Sequence, residues 1–315
     1  MTVPKVCAVV VNWNGGELVQ QCVASLTQPV DPPLEIIVVD NHSADGSAAA
    51  LRRRFPFITL IENETNEGFA QGANIGIERA LARGADFVYL LNNDLTVDPT
   101  APMEMITVMQ QDAAIGITGA KVLRQDDPTR IYCVWEEIRY NHVLTRAVGE
   151  WEIDRGQYDC IRDVDCVCGA AMMVRRDVFE QIGLFDARFF AYQEQVDFCH
   201  RARKHGRRIV FVPRAIVRHY GEHSLRSRDA LFLKTYLLRR NSVLFMKKHG
   251  DWWTWCRFLG WVALSVGTMC VVDLLRNRWV YSKARLQGFW DGFCGRLIDE
   301  EQLTEVRASL MGGKG

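Results

Sequence analysis

Two carboxylates three residues apart, Glu194 and Asp197, sit in the segment Phe190-Ala191-Tyr192-Gln193-Glu194-Gln195-Val196-Asp197 and would share one face of a helix beginning near Gln193. Side by side in a cleft they are candidates for general acid–base work. The plainer use is local, with Asp197 pairing with Arg201 four residues on and Glu194 capping the helix. A second group of polar residues precedes them. Asn12-Trp13-Asn14, Asp40-Asn41, Glu62-Asn63 and Asn92-Asn93-Asp94 each follow directly on an apolar run. Any one such cluster is commonly a turn or a helix cap. Four in succession point to amides and carboxylates gathered on one rim, where they would hold a polar ligand.

A dinucleotide enzyme would follow its first strand with G-x-G-x-x-G, so that backbone can approach a pyrophosphate. This chain has Asn14-Gly15-Gly16 there, which makes a nicotinamide oxidoreductase a distant alternative. A diphosphate bound here needs another counter-charge, and Asp94, at the end of the fourth run, is placed to hold a divalent cation that bridges two phosphates. The loop from Asn66 to Asn74 adds Gly68 and Gly72 for close backbone approach, with Asn74 one turn into the next helix and facing a nucleotide. These residues together describe a metal-dependent nucleotide-sugar site.

Elements that could position them are legible in the hydropathy pattern. Val6 to Val11, Leu34 to Val39, Ile58 to Ile61 and Phe87 to Leu91 are short apolar runs of the kind buried in parallel sheets. Glu17 to Leu26, Ala48 to Phe55 and Ala73 to Leu81 lie between them with helical spacing, as right-handed crossovers require. Asp98-Pro99 reads as the start of a helix to Gln111, followed by a strand from Ile115 to Val122. From Arg124 to Asp165 the pattern loosens and reads as a hairpin insertion over one sheet edge. Order returns with a strand Ala170 to Val174, Asp177 capping a short helix, a helix from Gln193 to Lys204, and a strand Ile209 to Val212 stopped by Pro213. The pattern predicts an α/β fold, an open, mostly parallel, Rossmann-like sheet with helices on both faces.

Composition bounds the function. With 315 residues, 48% of them hydrophobic, the chain can form one large domain with an appendage or two modest ones. Basic and acidic residues number 38 each, so no overall field gathers nucleic acid. Ten cysteines without a secretory pattern at the N-terminus fit reduced thiols in a cytosolic compartment. Cys133, Cys160, Cys166 and Cys168 are irregularly spaced and are a weak signal for zinc.

The motifs in combination resemble those of the inverting family-2 glycosyltransferases of GT-A fold, in particular their rhamnosyltransferase-like branch. The likeness runs from Val6 to His223 and is carried by Val-Val-Asn-Trp-Asn at 10 to 14, Val-Val-Asp-Asn-His-Ser-Ala-Asp-Gly at 38 to 46, the Asn66 to Asn74 loop, Leu-Leu-Asn-Asn-Asp at 90 to 94 and the segment 190 to 197. By that resemblance Asp40 hydrogen-bonds the donor's base, with Asn12 and Gly68 lining the same pocket. Asp94 would be the metal ligand of the family's D-x-D element, whose first position is Asn92 here, and His219 would complete a site for Mg²⁺ or Mn²⁺. Gly169 and Ala170 resemble the small-residue turn lining the acceptor pocket. The family's second consecutive acid, often the base, is Gln195 in this chain, and Glu194 is favoured over Asp197 as its replacement. The donor-binding set so expected is Asn12, Asp40, Asn41, Gly68, Asn74, Asn92, Asn93 and Asp94. The implied reaction moves a sugar, rhamnose being the commonest suggestion, from a nucleotide diphosphate to a lipid-linked or polysaccharide acceptor. Gln195 also leaves open a non-catalytic nucleotide-sugar-binding subunit.

The tail is different. Between Arg226 and Arg285 twelve Lys/Arg face three Asp/Glu, an excess of nine, and five of the nine tryptophans fall there. Phe258 to Val272 is apolar over fifteen residues, roughly 22 Å as a helix and short of a ~30 Å hydrocarbon core. An interfacial helix on the inner face of the cell membrane, flanked by basic residues, is the expectation, with packing on the catalytic domain or in a homodimer as its alternative. The domains expected are thus 1–225, the transferase, and 226–315, a basic helical region for membrane or subunit contact.

Overall fold

The computed structural model describes residues 3–29, 32–221, 228–276 and 278–311. Two compact units emerge, the first from residues 1–137, 147–186 and 195–221, the second from 138–146, 187–194 and 222–315. The expected boundary between 225 and 226 lies outside the described residues, as does His223.

In the first unit β1 (Val6–Asn12), β2 (Leu34–Asp40), β3 (Thr59–Glu62) and β4 (Phe87–Asn92) alternate with α1 (Gly16–Leu26), α2 (Ser47–Arg54) and α3 (Gly68–Ala82). β1 is buried at every position, which is why it reads as an unbroken apolar run instead of an alternating one. It pairs in parallel with β2 and β4, and β2 with β3. The chain continues through β5 (Leu95–Val97), α4 (Ala101–Gln111) and β6 (Ile115–Arg124) into an insertion carrying β7 (Ile131–Cys133), β8 (Trp135–Ile138), β9 (Thr145–Ala147), β10 (Arg162–Asp163) and β11 (Cys166–Val167). β12 (Ala171–Arg175), α5 (Arg176–Ile182), α6 (Glu194–Lys204) and β13 (Arg208–His219) follow.

The main sheet has the order β10-β13-β6-β12-β4-β1-β2-β3. β12 runs antiparallel between β4 and β6, and β6 is parallel to β13, so β1, β2, β3, β4, β6 and β13 share one direction. Their carboxyl ends, and the polar residues there, therefore lie on one edge. The insertion joins this sheet, β7 pairing with β6 and β10 with β13. Lys121 of β6, almost wholly buried, is held by Asp154 and Asp159 at 2.9 and 2.5 Å.

Four local expectations change. Asp98 does not cap α4; its carboxylate closes a turn onto the Thr100 N–H and hydroxyl, and the helix starts at Ala101 with Pro102 in its first turn. Asp177 lies inside the first turn of α5 and pairs with Arg207. Pro213 does not stop a strand, because the register shifts between Val212 and Ile216 and the missing N–H falls in that irregularity, letting β13 run on to His219. α3 begins at Gly68, whose positive φ of 77° turns the chain into the helix, so Asn74 lies well beyond its first turn.

The second unit contains α7 (Arg228–His249), α8 (Trp252–Leu275), α9 (Trp279–Cys294) and α10 (Glu300–Met311). Tyr236, Leu237, Ala284, Ile298, Leu303 and Val306 form its core. Gly288 and Gly292 let α9 approach α7: a β-carbon on either would fall 2.5 Å from Tyr236 O or 2.8 Å from Arg240 O. α8 is longer than its apolar run, because Asp251 and Thr254 form a capping box that starts it six residues earlier than Phe258. At 24 residues it extends about 36 Å, so the expected shortfall against the hydrocarbon core is corrected.

Close helix-on-sheet packing in the first unit rests on Gly76, where a β-carbon would meet Val9 Cγ1 at 2.3 Å and Val39 Cγ2 at 3.2 Å. Gly76→Ala is expected to destabilise the protein by about 1–3 kcal/mol through overpacking. An unchanged urea midpoint would contradict the contact.

Candidate active site

The first four strand ends are joined by side chains. Asn12 and Asp40 are register partners on β1 and β2, and Asn12 Nδ2 donates to Asp40 Oδ1 at 2.6 Å, to Ser47 Oγ at 2.9 Å and to Ser43 Oγ at 3.2 Å. The other end of the Asn12 amide accepts from Asn93 Nδ2 at 3.0 Å, which ties in the end of β4. Asp40 Oδ2 accepts from the Ser43 N–H. Asn41 donates to Gly68 O at 2.9 Å and accepts from Asn63 at 2.8 Å, linking β2, β3 and the start of α3. Asn12, Asp40 and Asn41 are all buried, and each is held through these partners, as buried polar groups require.

The following loops are fastened to each other. Asn14 Oδ1 accepts from Ala44 N–H and Asp45 Oδ2 from Gly16 N–H. Partial burial acts to raise the Asp45 carboxyl, but hydrogen bonds from Ser47 and Gly16 outweigh it and hold the group below the usual carboxylate range.

A second cluster stands where β4 and β13 end. Asp94 Oδ1 and His219 Nε2 are 2.7 Å apart, and Asn92 Nδ2 lies 3.4 Å from the same nitrogen. Backbone pairing of Leu95 with His219, and the Tyr220 N–H to Asp94 O bond of 2.9 Å, fix this approach. The Tyr132 ring packs edge-on against the imidazole, centroids 4.6 Å apart. Burial pushes the Tyr132 phenol well above its ordinary pKa, reinforced by the Cys168 and Cys133 thiols and by Asp94, so it stays neutral.

This pair fits a divalent cation. At 2.7 Å from a carboxylate oxygen His219 Nε2 is the donor, and Nδ1 is buried with no hydrogen-bond partner, so an ion held by Nε2 would take the place of that hydrogen. A carboxylate oxygen and one imidazole suit Mn²⁺ or Mg²⁺ when phosphate oxygens and water complete the shell. No cluster of three or more His, Cys, Asp or Glu suited to a metal occurs among the described residues, so most of that shell would have to come from outside the protein. The cysteines do not favour zinc: a hydrogen bond with Cys168 and then burial hold the Cys133 thiol well above its ordinary pKa, and burial and Cys199 do the same to Cys166.

The remaining expected residues separate into two groups. Gly169 lies against Gln195, whose Cδ would be 3.1 Å from a β-carbon there, and Ala170 O accepts from the Asn92 N–H at 3.0 Å. The small-residue turn thus adjoins both the end of β4 and the side chain at 195. Asn74 and Asp197 are engaged within the fold, Asp197 in the local pairing that stands as the alternative to acid–base work. Both ends of the Asn74 amide are paired with Phe185 backbone at 3.0 Å, so it ties α3 to a distant loop instead of facing a nucleotide. Asp197 is fully buried and pairs with Arg201 at 2.9 Å, whose guanidinium also holds Ile182 O and Leu184 O. That carboxylate organises α6 and the loop before it. Glu194, buried at the head of α6, belongs to the second unit.

Sequence reasoning missed Glu136. On β8, beside its partner Cys166 of β11, it accepts a 3.1 Å hydrogen bond from Gln195 Nε2. A carboxylate therefore stands next to position 195 although residue 195 is an amide. Glu136 lies in the loosely patterned insertion, where no local signal marked it.

The open α/β sheet, with amides, carboxylates and a histidine at its strand ends, has the fold of the GT-A glycosyltransferases. The chain belongs to glycosyltransferase-like family 2, whose model matches residues 4–236. It is similar to the N-acetylglucosaminyl-diphospho-decaprenol L-rhamnosyltransferase of Mycobacterium tuberculosis, 26% identical over 267 residues that cover 78% of this chain and 85% of that one. The low-salt glycan biosynthesis hexosyltransferase of Haloferax volcanii is 29% identical over 199 residues, 62% of this chain and 61% of that protein, so the chain spans less than two thirds of that relative. Among solved structures, a mannosyltransferase from Pyrobaculum calidifontis in complex with GDP-Man and Mn²⁺ overlays with a TM-score of 0.58 at 15% identity, covering 94% of this chain and 89% of that one. This last likeness shows the fold.

Gln195→Glu would bring two carboxylates within hydrogen-bond distance and is expected to cost about 1–3 kcal/mol at pH 7. Urea unfolding measures this, and the exchanged pair Glu136→Gln with Gln195→Glu should recover most of the loss. Equal stability of the single variant would show that the pair is not in contact.

Proposed function

We propose that this chain transfers rhamnose from a nucleotide diphosphate donor to a hydroxyl of a lipid-linked or polysaccharide acceptor, with inversion, in cell-surface polysaccharide synthesis. The observation that carries the proposal is the shared strand-end rim, where Asn12, Asp40, Asn93, Asp94 and His219 are held by one another and by adjacent backbone. The relatives, a rhamnosyltransferase and a hexosyltransferase by name, support the sugar and the acceptor class.

In this proposal Asp40 receives the donor's base, with Asn12, Asn41 and Gly68 around it, while Asn92, Asn93 and Asp94 face the diphosphate. Asp94 and His219 would hold Mg²⁺ or Mn²⁺, which when bound neutralises charge developing on the departing diphosphate. Gly169 and Ala170 leave room for the acceptor, the smallness of residue 169 being enforced by Gln195. Glu194 takes the proton of the attacking hydroxyl as the new glycosidic bond forms and the bond to the diphosphate breaks. Glu194→Gln is expected to lower transfer from dTDP-rhamnose to N-acetylglucosaminyl-diphospho-decaprenol by about 100-fold or more, with dTDP affinity in Mn²⁺ within about twofold of wild type. Retention of most turnover would remove Glu194 from this role, and a wild type that binds no nucleoside diphosphate with either metal would remove the proposal itself.

The same reading places the protein on the inner membrane face, through α8. By length and composition α8 is able to cross a bilayer; its most apolar stretch has a mean hydropathy of 1.9 and only 17% of that stretch is buried. Its packing favours lying in the plane. Trp255 meets Phe293 and Phe258 meets Phe289 near one end, while Asp273 is held by Ser282 and Arg285 near the other, so α8 runs antiparallel along α9. α9 is itself seated on α7 by Gly288, Gly292 and the 2.8 Å bond from Tyr236 to Asp291. A span through the bilayer would have to strip α8 from α9, whereas a flat helix keeps these contacts and offers Trp252, Trp253, Leu264, Leu274 and Leu275, all well exposed, to lipid. The expected result is cosedimentation with vesicles containing anionic lipid and release by alkaline carbonate. Replacing Leu264, Leu274 and Leu275 by glutamate should abolish sedimentation, and resistance to carbonate would instead identify a span.

A further inference from the structure

The segment entering α6 is held in a conformation that its own residues disfavour. Phe190, Tyr192 and Gln193 have φ of 61°, 69° and 69°, the left-handed region that side chains with a β-carbon rarely adopt. Three such residues among four do not persist unless something outside the segment holds them. That restraint comes from one side chain in the middle of α7. Asn241, fully buried, directs its amide N–H groups at the carbonyls of Phe189, Ala191 and Tyr192 at 2.9, 2.8 and 2.7 Å. Two hydrogens shared among three acceptors saturate the group. Its orientation is fixed in turn, since Arg240 donates to Asn241 Oδ1 at 2.8 Å and so keeps the oxygen turned away from those carbonyls. Arg240 also donates to Arg188 O, and Ser242 accepts from Gln193 Nε2 at 3.2 Å. Three successive residues of α7 thus fasten the stretch from Arg188 to Gln193, and the next residue is Glu194.

We propose that Asn241 is a positioning residue for sugar transfer: by clamping segment 189–193, with its three left-handed residues, it fixes where the carboxylate of Glu194 stands at the head of α6. The inference rests on the role given to Glu194 above. Asn241 touches no substrate; it sets the backbone that presents a group that does. A misplacement near 1 Å of a reacting group is enough to cost about 100-fold in rate without loss of binding.

The experiment compares Asn241→Ser and Asn241→Ala in the full chain. Serine keeps one donor hydrogen and alanine none, so kcat for transfer from dTDP-rhamnose to N-acetylglucosaminyl-diphospho-decaprenol should fall in that order, by about 10-fold and about 100-fold. The donor KM and the affinity for dTDP in Mn²⁺ should stay within about twofold. Amide hydrogen exchange over 188–195 should quicken in both variants. Adding Gln193→Gly to Asn241→Ala should restore part of the lost kcat, because glycine adopts positive φ without a clamp. A purely architectural asparagine would give neither the split between kcat and KM nor the glycine rescue, and either result overturns the proposal, as does wild-type kcat in the alanine variant. If alanine prevents folding, the serine variant decides by the same readouts. Full turnover in Glu194→Gln would overturn the base assignment, and no turnover in the wild type the transferase reading; in both cases unchanged exchange over 188–195 in the Asn241 variants would separately overturn the clamp.

Discussion

The hydrogen bonds of Asn12 are the constraint on which the rim depends. A carboxamide that is fully buried loses its water, and an unmatched donor or acceptor there costs about 1–3 kcal/mol. Asn12 avoids that loss by donating to Asp40, Ser43 and Ser47 and accepting from Asn93, so β1, β2, α2 and the end of β4 answer to one side chain. The network also explains the glycine that stands where a dinucleotide-binding loop would begin. A β-carbon at Gly15 would stand 2.3 Å from Asn12 Oδ1 and 2.6 Å from Asn93 Nδ2. Gly15 is required by crowding from side chains, without any phosphate.

What could be read from sequence follows from where the information is local. Parallel strands buried on both faces leave unbroken apolar runs, and the polar residue ending each run marks the edge at which ligands bind. β1, β2 and β4 are legible for that reason, and with them the positions of Asn12, Asp40 and Asp94 at or just past the strand ends. Contacts set by the tertiary fold left no such mark. Asn74 meets Phe185 across 111 residues, Gln195 meets Glu136 across 59, and Asn241 reaches Phe189 across 52. Each of these residues is of a type that serves equally well as a ligand contact or a structural tie, and only its partner tells which. Pro213 shows the converse: proline ordinarily ends a strand, but the register shift between Val212 and Ile216 absorbs the missing donor.

Charge counting met the same limit. The nine-charge excess of the tail suggested a basic surface, yet Arg239 and Arg240 are buried, and direct their guanidinium groups to the carbonyls of His142, Arg188 and Arg296. Arg285 is paired with Asp273. These arginines act inside the second unit as charged donors, although burial, and then Arg285, lower the Arg239 guanidinium to about 10. Among the described residues the cations left exposed near the two ends of α8 are fewer, Arg257, Arg276, Arg278 and Lys283, while Lys247 donates to Phe293 O.

On the proposed reading, the Asp94–His219 pair would couple metal to donor. Asn92 occupies the position where a second carboxylate would raise the site's negative charge, and an amide offers a cation only a neutral dipole. One carboxylate and one imidazole bind a hard cation weakly by themselves, and the direct 2.7 Å contact between them must be given up before an ion can enter. A diphosphate changes that balance, because its oxygens supply both charge and the missing ligands. Cation and nucleotide would then each raise the other's affinity by the same factor. On the proposed reading, an amide at 92 would thus shift control of a metal from the protein to the substrate, since the diphosphate would supply most of the charge that holds the ion.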